Sequence, residues 1–184
     1  MKSFSCETGR LQLRPLAKGD EALFHALYSD PETMRFIGDP WSPMKVAKRF
    51  QKLVNHQEQP KLDDRYLVIV RKNGQTSMGI CGTSHYDLAA MRLEVGIMLL
   101  RRGRGLGIAR EALTALLGRA FEDPLVEEVY ARFTAENIAI RNLMMRVGFH
   151  PCGLAKGGGA AVTMREWSIH RSRWCISNST TSQG

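Results

Sequence analysis

Residues 100–109 combine glycine and arginine in a pattern suited to binding phosphate. The segment reads LRRGRGLGIA, with glycine at 103, 105 and 107 and arginine at 101, 102 and 104. The segment follows a stretch with the apolar pattern of a strand, and a stretch with helical periodicity begins within it. The first N–H groups of a helix have no partner inside the helix, and the helix dipole adds partial positive charge there. Because glycine also lets a ligand approach the backbone closely, the segment predicts a site for a pyrophosphate or similar anion.

Two common phosphate-binding motifs do not fit this segment. A Walker A loop ends in Gly-Lys-Ser/Thr, which is absent here. The dinucleotide pattern G-x-G-x-x-G would need glycine in place of Ile108 and a parallel βαβ unit, whereas the preceding strands read as antiparallel. The pattern Q/R-x-x-G-x-G/A fits in two registers, one starting at Arg104 and one starting at Arg102.

This pattern, together with four further segments, resembles the GNAT superfamily of acyl-coenzyme A N-acyltransferases, and within it the RimJ/RimL-like branch. The resemblance covers nearly the whole chain, and its other segments are residues 10–15, 93–97, 111–122 and 136–149. Each motif is short, and their joint order and spacing make the resemblance specific. Anchoring the comparison on Glu111 and Phe121 favours the Arg104 register.

The resemblance implies an α/β fold with a mixed, largely antiparallel twisted sheet. Helices would flank both faces, and the sheet would splay between its fourth and fifth strands. Hydrophobic periodicity predicts strands near residues 10–14, 65–71, 77–86, 92–100, 126–135 and 164–169, with helices near 18–29, 42–56, 105–123 and 138–147. One domain is expected over residues 1–176. The apolar-free residues 177–184 are expected to be a disordered tail.

The resemblance also implies acetyl-coenzyme A as the acyl donor and suggests where it binds. Its pyrophosphate would be held by backbone amides of Arg104, Gly105, Leu106, Gly107, Ile108 and Ala109, with Arg104 acting through its N–H rather than necessarily its side chain. Its pantetheine arm would run like an added strand beside Met98, Leu99 and Leu100. A bulge in that strand, compatible with Gly96, would splay the sheet. Asn137 matches the family asparagine that contacts the arm, and it could also cap the helix it precedes.

The implied reaction is transfer of an acetyl or other acyl group to a primary amine by direct attack on the thioester. The amine would belong to a small molecule or to a protein N-terminus. Glu94 is the candidate base, because strand alternation points it away from its apolar neighbours. A structural glutamate paired with Arg92 is an equally good interpretation. His85 and Asp87 are further candidate bases.

The proton donor to the leaving thiolate and the acceptor site are less well defined. Other branches of the family carry a donor tyrosine at the position of Met144, so that role is unassigned here. The RimJ/RimL-like branch often has serine at the position of Ile140. The candidate acceptor lining is Phe36, Trp41 and Tyr86, with Ile37, Phe50 and the glycine-rich residues 156–159 nearby.

The net charge of +8 and pI near 9.6 suit a polyanionic ligand but do not identify it. One rival hypothesis is therefore a basic module that binds nucleic acid without catalysis, although the basic residues are spread out and no nucleic-acid motif appears. Another keeps the fold but has lost catalysis or uses a larger acyl-coenzyme A. The spacing of the four cysteines predicts neither a metal site nor a redox motif, and a reducing cytoplasm is expected. No apolar run reaches the ~18 residues of a membrane span, and the resemblance leaves a homodimer open.

Overall fold

One eight-stranded sheet forms the centre of the fold. The computed structural model describes residues 4–56, 65–154 and 164–179 of the 184-residue chain. The strands are β1 (Cys6–Glu7), β2 (Leu11–Pro15), β3 (Arg65–Arg71), β4 (Thr76–Asp87), β5 (Arg92–Leu99), β6 (Glu128–Thr134), β7 (His150–Leu154) and β8 (Met164–His170). The helices are α1 (Glu21–Tyr28), α2 (Pro31–Met34), α3 (Pro43–His56), α4 (Ile108–Ala120), α5 (Ile138–Val147) and α6 (Arg171–Ser179). The strand order is β1-β2-β3-β4-β5-β6-β8-β7, and every pair is antiparallel except β5 and β6.

Helices cover both faces of this sheet, as strand β3 shows most clearly. Its Leu67 and Ile69 are buried in a cluster with the apolar residues of α4 and α5. Val68 and Val70, which alternate with them, are buried in a second cluster with the apolar residues of α1 and α3. Side chains alternate between the faces of a strand, so a strand covered on both faces reads as a continuous apolar run. The predicted fold class is confirmed.

Strands β5 and β6 separate after a short stretch of pairing. Their parallel register joins Arg92–Glu94 to Glu128–Tyr130 and, among the described residues, goes no further. Both strands continue beyond that point, to Leu99 and Thr134. The separation is consistent with the predicted splay, since these are the fourth and fifth strands of the predicted order, and it opens a gap at the centre of the sheet.

The irregular backbone lies in β4, which corrects the expectation of a bulge at Gly96. Gly96 pairs in register with Gly82. The register shifts where His85 and Tyr86 of β4 lie opposite the single residue Leu93 of β5. His85 has φ +48°, a left-handed conformation that is uncommon for a residue with a side chain. The extra residue therefore turns the His85 side chain at the end of β4 rather than bending β5.

Sequence patterns missed the short elements. Strands β1 and β7 and helices α2 and α6 were not predicted, because two- to five-residue segments carry little periodicity and α6 has a weak apolar stripe. Helix α6 includes residues 177–179 of the segment expected to be a disordered tail, and residues 180–184 lie outside the described residues. A single domain over residues 1–176 stays a prediction. In the part of the chain that the structure describes, none of the helices has the length and apolar character needed to cross a membrane.

Candidate active site

The N-terminus of helix α4 has backbone donors that the helix itself does not use. The first bond of the helix runs from the N–H of Glu111 to the carbonyl of Gly107, at 3.1 Å. The N–H groups of Ile108, Ala109 and Arg110 thus precede the first intrahelical bond and, among the described residues, have no recorded partner. Gly107 occupies the capping position with φ +75° and supplies no side-chain cap. Three donors therefore point out of the helix end, where the helix dipole favours an anion.

Arg10, at the start of β2, holds this helix end in place. Its Nε and Nη2 lie 2.7 and 2.6 Å from Glu111 Oε2, and its Nη1 donates to the Leu106 carbonyl at 3.2 Å. Thr8 also donates to Glu111. Burial alone would raise the pKa of Glu111, but the hydrogen bonds from Thr8 and Arg10 outweigh it and lower the pKa below its usual value. The glycine-rich turn is thereby tied to the sheet edge.

The three arginines of the segment have different roles. Arg102 donates to the Ser77 carbonyl from Nη2 and Nε, at 2.8 and 3.1 Å, and so fixes the turn to β4. Arg104 Nη1 lies 2.7 Å from Oε1 of Glu32 in α2, and Arg101 Nη1 lies 3.2 Å from Oε2 of the same carboxylate. The backbone N–H of Arg104 donates to the Arg101 carbonyl at 3.1 Å. This corrects the expectation that Arg104 binds phosphate through its N–H, because that donor is already used.

A cavity of about 690 Å³, called here the large cavity, extends from the helix end to strand β5. Eight of the predicted cofactor-binding residues line it: Met98, Leu99, Arg104, Gly105, Gly107, Ile108, Ala109 and Asn137. Leu100 and Leu106 do not line it. The N–H of Leu100 donates to the Met78 carbonyl in β4, and the Leu106 side chain is exposed on the outside of the turn.

Two basic residues in the large cavity were not singled out from the sequence. Arg110, in the first turn of α4, and Arg146, near the end of α5, both line the cavity. Neither has an acidic partner within 4 Å among the described residues, in contrast to Arg101 and Arg104. The helical position of Arg110, one turn from the glycines, was the signal that could have identified it.

The free edge of β5 faces the gap in the sheet. Because the N–H of Leu100 points toward β4, strand alternation directs the backbone groups of Ile97 and Leu99 the opposite way, toward β6. The register with β6 has ended by this point. The Leu99 carbonyl accepts from Arg104 Nε at 3.3 Å, which is consistent with that orientation. This edge can therefore pair with an extended ligand as a strand would.

A smaller cavity of about 260 Å³, the small cavity, meets the large one at this gap. Both are lined by the same six residues: Phe36, Ile37, Ile97, Met98, Asn137 and Ile140. Asn137 also caps α5, since its Oδ1 accepts from the N–H of Ile140 at 3.2 Å and its side-chain NH₂ group remains available to a ligand. A molecule in one cavity can thus reach a molecule in the other at the point where β5 and β6 part.

Of the three predicted acceptor residues, the structure brings one to the small cavity. Phe36 lines it. Trp41 does not, because it stacks on Tyr28 with ring centroids 4.4 Å apart and so lies behind the wall that Tyr28 provides. Tyr86 does not either, since it lies in the β4 bulge and packs against the α4-side core. Residues 156–159 lie outside the described residues.

Glu94 lies behind the wall of the small cavity, bonded to two basic side chains. Arg132 donates to it from Nε at 3.0 Å and from Nη2 at 2.5 Å, and His85 Nδ1 lies 2.8 Å from Oε2. The expected partner, Arg92, pairs instead with Glu128 and Glu166, at 2.6 and 2.7 Å. Glu94 itself does not line the cavity, although Arg132 does. Any proton that reaches Glu94 from the cavity must therefore travel through a water or a neighbouring side chain.

Ser84, His85 and Glu94 do not form a nucleophilic triad. Ser84 Oγ lies 3.2 Å from His85 Nδ1, the same ring nitrogen that contacts Glu94. A triad needs the serine and the carboxylate on different ring nitrogens, so that one orients the ring while the other loses its proton. The arrangement does not activate Ser84, and it leaves His85 Nε2 facing solvent on a side chain that is 66% exposed.

Comparison with known proteins agrees with this geometry. The family model described as the acetyltransferase (GNAT) domain matches residues 10–150. Among curated proteins, the uncharacterized protein YkkB of Bacillus subtilis is 25% identical over 165 residues, which are 88% of each chain.

Solved structures with the same fold include enzymes with different acceptors. The spermidine N-acetyltransferase of Vibrio cholerae, solved with CoA and spermine, has a TM-score of 0.77 at 20% identity and covers 91% of this chain and 99% of its own. The ribosomal-protein-S5-alanine acetyltransferase of Vibrio fischeri has a TM-score of 0.72 at 21% identity, covering 92% of this chain and 98% of its own. At these identities the likeness shows the fold alone.

Proposed function

Because the chain belongs to the GNAT acetyltransferase family, whose members use acetyl-CoA as the acyl donor, we propose that it acetylates a primary amine by direct attack. The amine nitrogen would form a bond to the acyl carbon while the carbon–sulfur bond breaks. The amine would lose a proton, and the departing sulfur would gain one. The bound thioester would supply the electrophilic carbonyl, residues of this chain would hold it and accept the amine proton, and water would protonate the sulfur.

One observation carries this proposal: the uncapped end of α4 opens into the large cavity. The N–H groups of Ile108, Ala109 and Arg110 are available there, and Gly105 and Gly107 both have φ +75°. A Cβ built on Gly105 would meet nothing within 4 Å, so the turn leaves open space beside the donors. These features fit the pyrophosphate of coenzyme A, with Arg110 and Arg146 adding charge for its phosphates.

The free edge of β5 would position the rest of the cofactor. Ile97 and Leu99 present backbone groups toward the gap, and Asn137 presents an amide from the opposite side. The pantetheine arm carries two amide groups that can bond to such an edge. We therefore assign the backbone of Ile97 and Leu99 and the amide of Asn137 to the arm, beside the Met98 side chain that lines the same cavity. The turn residues Gly105, Gly107, Ile108 and Ala109 are assigned to the diphosphate.

Glu94 would receive the amine proton through an intervening water. Arg132 donates to the carboxylate and His85 Nδ1 lies 2.8 Å from it, so the carboxylate stays oriented next to the cavity wall. If the proton on His85 Nδ1 faces Glu94, Nε2 is the free acceptor, and its exposure offers a path to solvent. Asp87 is a weaker candidate, because its Oδ1 already accepts from the N–H of Ala90 in the turn after β4.

Protonation of the departing sulfur has no protein donor in this proposal. Met144, at the position of the family tyrosine, is 1% exposed and lines the small cavity, so water must deliver that proton. We also propose that the chain belongs to the RimJ/RimL-like branch. The support for this branch is that residues 10–15 include β2, residues 93–97 lie in β5, and residues 148–149 directly follow α5, in the order of the branch's motifs.

A thermal-shift titration followed by a thiol-release assay tests this function. Coenzyme A should raise the melting temperature in a concentration-dependent way, because a ligand that binds only the folded state stabilises it. Acetyl-CoA with an amine should then release free thiol, and propionyl- and succinyl-CoA would reveal a preference for larger acyl groups. A shift with duplex DNA but none with coenzyme A would favour the nucleic-acid hypothesis instead.

A further inference from the structure

The small cavity has an apolar and aromatic wall that carries almost no charge. Its described lining includes the rings of Tyr28, Phe36, Tyr66 and Phe133, with aliphatic side chains between them. Its neutral polar side chains are Thr83, Ser84 and Asn137. Arg132 is the one charged residue among the described lining residues, and none of them is Asp or Glu. The chemistry of the wall therefore suits an uncharged, apolar group.

The single charge on this wall is already neutralised. Arg132 forms a bidentate ion pair with Glu94 behind the wall, and the Glu94 side chain is only 14% exposed. The hydrogen bond to Glu94 raises the pKa of Arg132 further, so Arg132 keeps its charge. The carboxylate is thus occupied by Arg132 and His85, and no unpaired carboxylate among the described residues faces the cavity to hold an additional ammonium group.

These features select against polyamines. Spermidine carries more than one ammonium group at neutral pH, and each one enclosed without a counter-charge loses its hydration with nothing in return. A mono-amine faces a smaller difficulty, because an apolar cavity disfavours the ammonium form and lowers the pKa of the bound amine. That effect favours the neutral nitrogen that the reaction needs.

The size of the small cavity also limits which acceptors can bind. Its volume of about 260 Å³ is just below the ~300–1,000 Å³ usual for ligand pockets. It has room for one ring with a short amine-bearing chain but not for a large polyol, whereas the selection against spermidine rests on charge alone. On the foundation of the proposed acetyl transfer, we infer that the acceptor is a compact primary amine on an uncharged aromatic or aliphatic body. Two sources share this chemistry: a free arylalkylamine, and a peptide whose first residue has a large apolar side chain.

Competing acceptors in the thiol-release assay test this inference. We expect kcat/KM for 2-phenylethylamine, or for a neutral peptide beginning with Phe, to exceed that for spermidine by at least about 100-fold, which corresponds to about 2.7 kcal/mol. Whichever of these two acceptors has the higher kcat/KM shows whether the acceptor is a free amine or a peptide N-terminus. Equal or better use of spermidine would overturn the inference, and so would binding of coenzyme A without reaction of either apolar amine. Absence of coenzyme A binding would instead overturn the proposed function.

A charge placed at the rim provides an independent check. Ile37 lines the small cavity yet is 56% exposed, so Ile37→Asp should fold normally. We expect this variant to gain at least about tenfold in kcat/KM for spermidine relative to 2-phenylethylamine, since it adds the missing counter-charge. Met44→Asp, at a residue that is 80% exposed and outside both cavities, should leave that ratio unchanged. An unchanged ratio in Ile37→Asp would contradict the inference.

Discussion

Arg104 Nη1 lies 2.7 Å from Glu32 Oε1, and this ion pair joins the glycine-rich turn to helix α2 in the lining of the large cavity. Arg104 Nη2 also donates to Thr33 Oγ1 at 2.8 Å, and Arg101 shares the Glu32 carboxylate. An arriving diphosphate must compete with Glu32 for both arginines. Phe36 and Ile37, which follow α2, line both cavities, so the contact links the two sites.

Removing the Glu32 charge should therefore tighten cofactor binding. We expect Glu32→Gln to lower the Kd of coenzyme A about three- to tenfold, because the arginines are released and a repulsive charge is lost. Arg104→Ala should raise it by a similar factor. Isothermal titration calorimetry at two salt concentrations measures the coenzyme A Kd of both variants. Glu122→Gln, which removes the exposed partner of Arg119 at the far end of α4, is the control. Weaker binding by Glu32→Gln would contradict this explanation.

A methyl group at Gly105 should impair binding more than it impairs folding. Gly105 and Gly74 have φ of +75° and +79°, so alanine at either position costs roughly 1–2 kcal/mol of conformational strain. Only Gly105 lies in the large cavity, whereas Gly74 lies in the hairpin between β3 and β4. Denaturant unfolding should show similar losses for Gly105→Ala and Gly74→Ala. Coenzyme A affinity should fall only in Gly105→Ala, and an equal fall in both would indicate that strain alone is responsible.

Glu94→Gln should retain cofactor affinity and lose turnover. General-base catalysis contributes about 10²–10⁴-fold, so kcat should fall by that order while the coenzyme A Kd stays within about twofold. The matched control is Glu128→Gln, which removes a carboxylate from an ion pair with Arg92 on the neighbouring strand. If kcat of Glu94→Gln matched that of the unmodified chain across the pH range, Glu94 would only orient Arg132.

The Arg14–Asp20 pair should make stability depend on acid pH. Asp20 is 7% exposed and accepts from Arg14 twice at 2.7 Å and from the Ala17 N–H at 2.8 Å. Burial alone would raise the pKa of Asp20, but these hydrogen bonds outweigh it and lower the pKa. The stabilisation is therefore complete above the unfolded pKa of about 3.9 and is lost as the pH falls through the lower folded pKa.

Urea unfolding of Asp20→Asn across the pH range checks this sign. At pH 7 the free energy of unfolding should drop by about 1–3 kcal/mol, because a charged hydrogen-bond acceptor has been removed. The difference from the unmodified chain should shrink as the pH falls below about 4. Asp39→Asn, at an exposed position, should show little difference at any pH. A difference that grew toward acid pH would contradict the assignment.

The sequence predicted those features that depend on local pattern. The glycine-rich turn follows from the local spacing of its glycines, and the continuous apolar run of β3 indicates burial on both faces. Asn73-Gly74 predicts the hairpin that joins β3 to β4, but the loop spans residues 72–75 and has its positive φ at Gly74 and Gln75 rather than at Asn73 and Gly74. Eight of the ten predicted cofactor residues line the large cavity because a strand and a helix start place them at fixed intervals.

Features that depend on long-range register could not be predicted. The partner of Glu94 is Arg132 rather than Arg92, since the parallel pairing of β5 with β6 decides which basic residue lies beside it. Arg10 and Glu111 meet although 101 positions separate them in the chain. Trp41 looks the same in the sequence whether it lines a cavity or stacks on Tyr28, and packing alone decides between the two.

The most direct test of the account is a crystal structure of the chain with coenzyme A. We predict diphosphate oxygens within about 2.7–3.2 Å of the N–H groups of Ile108, Ala109 and Arg110, with the arm extended along Ile97 and Leu99. A complex in which these donors face water or a side chain, while the cofactor binds elsewhere, would contradict the central claim.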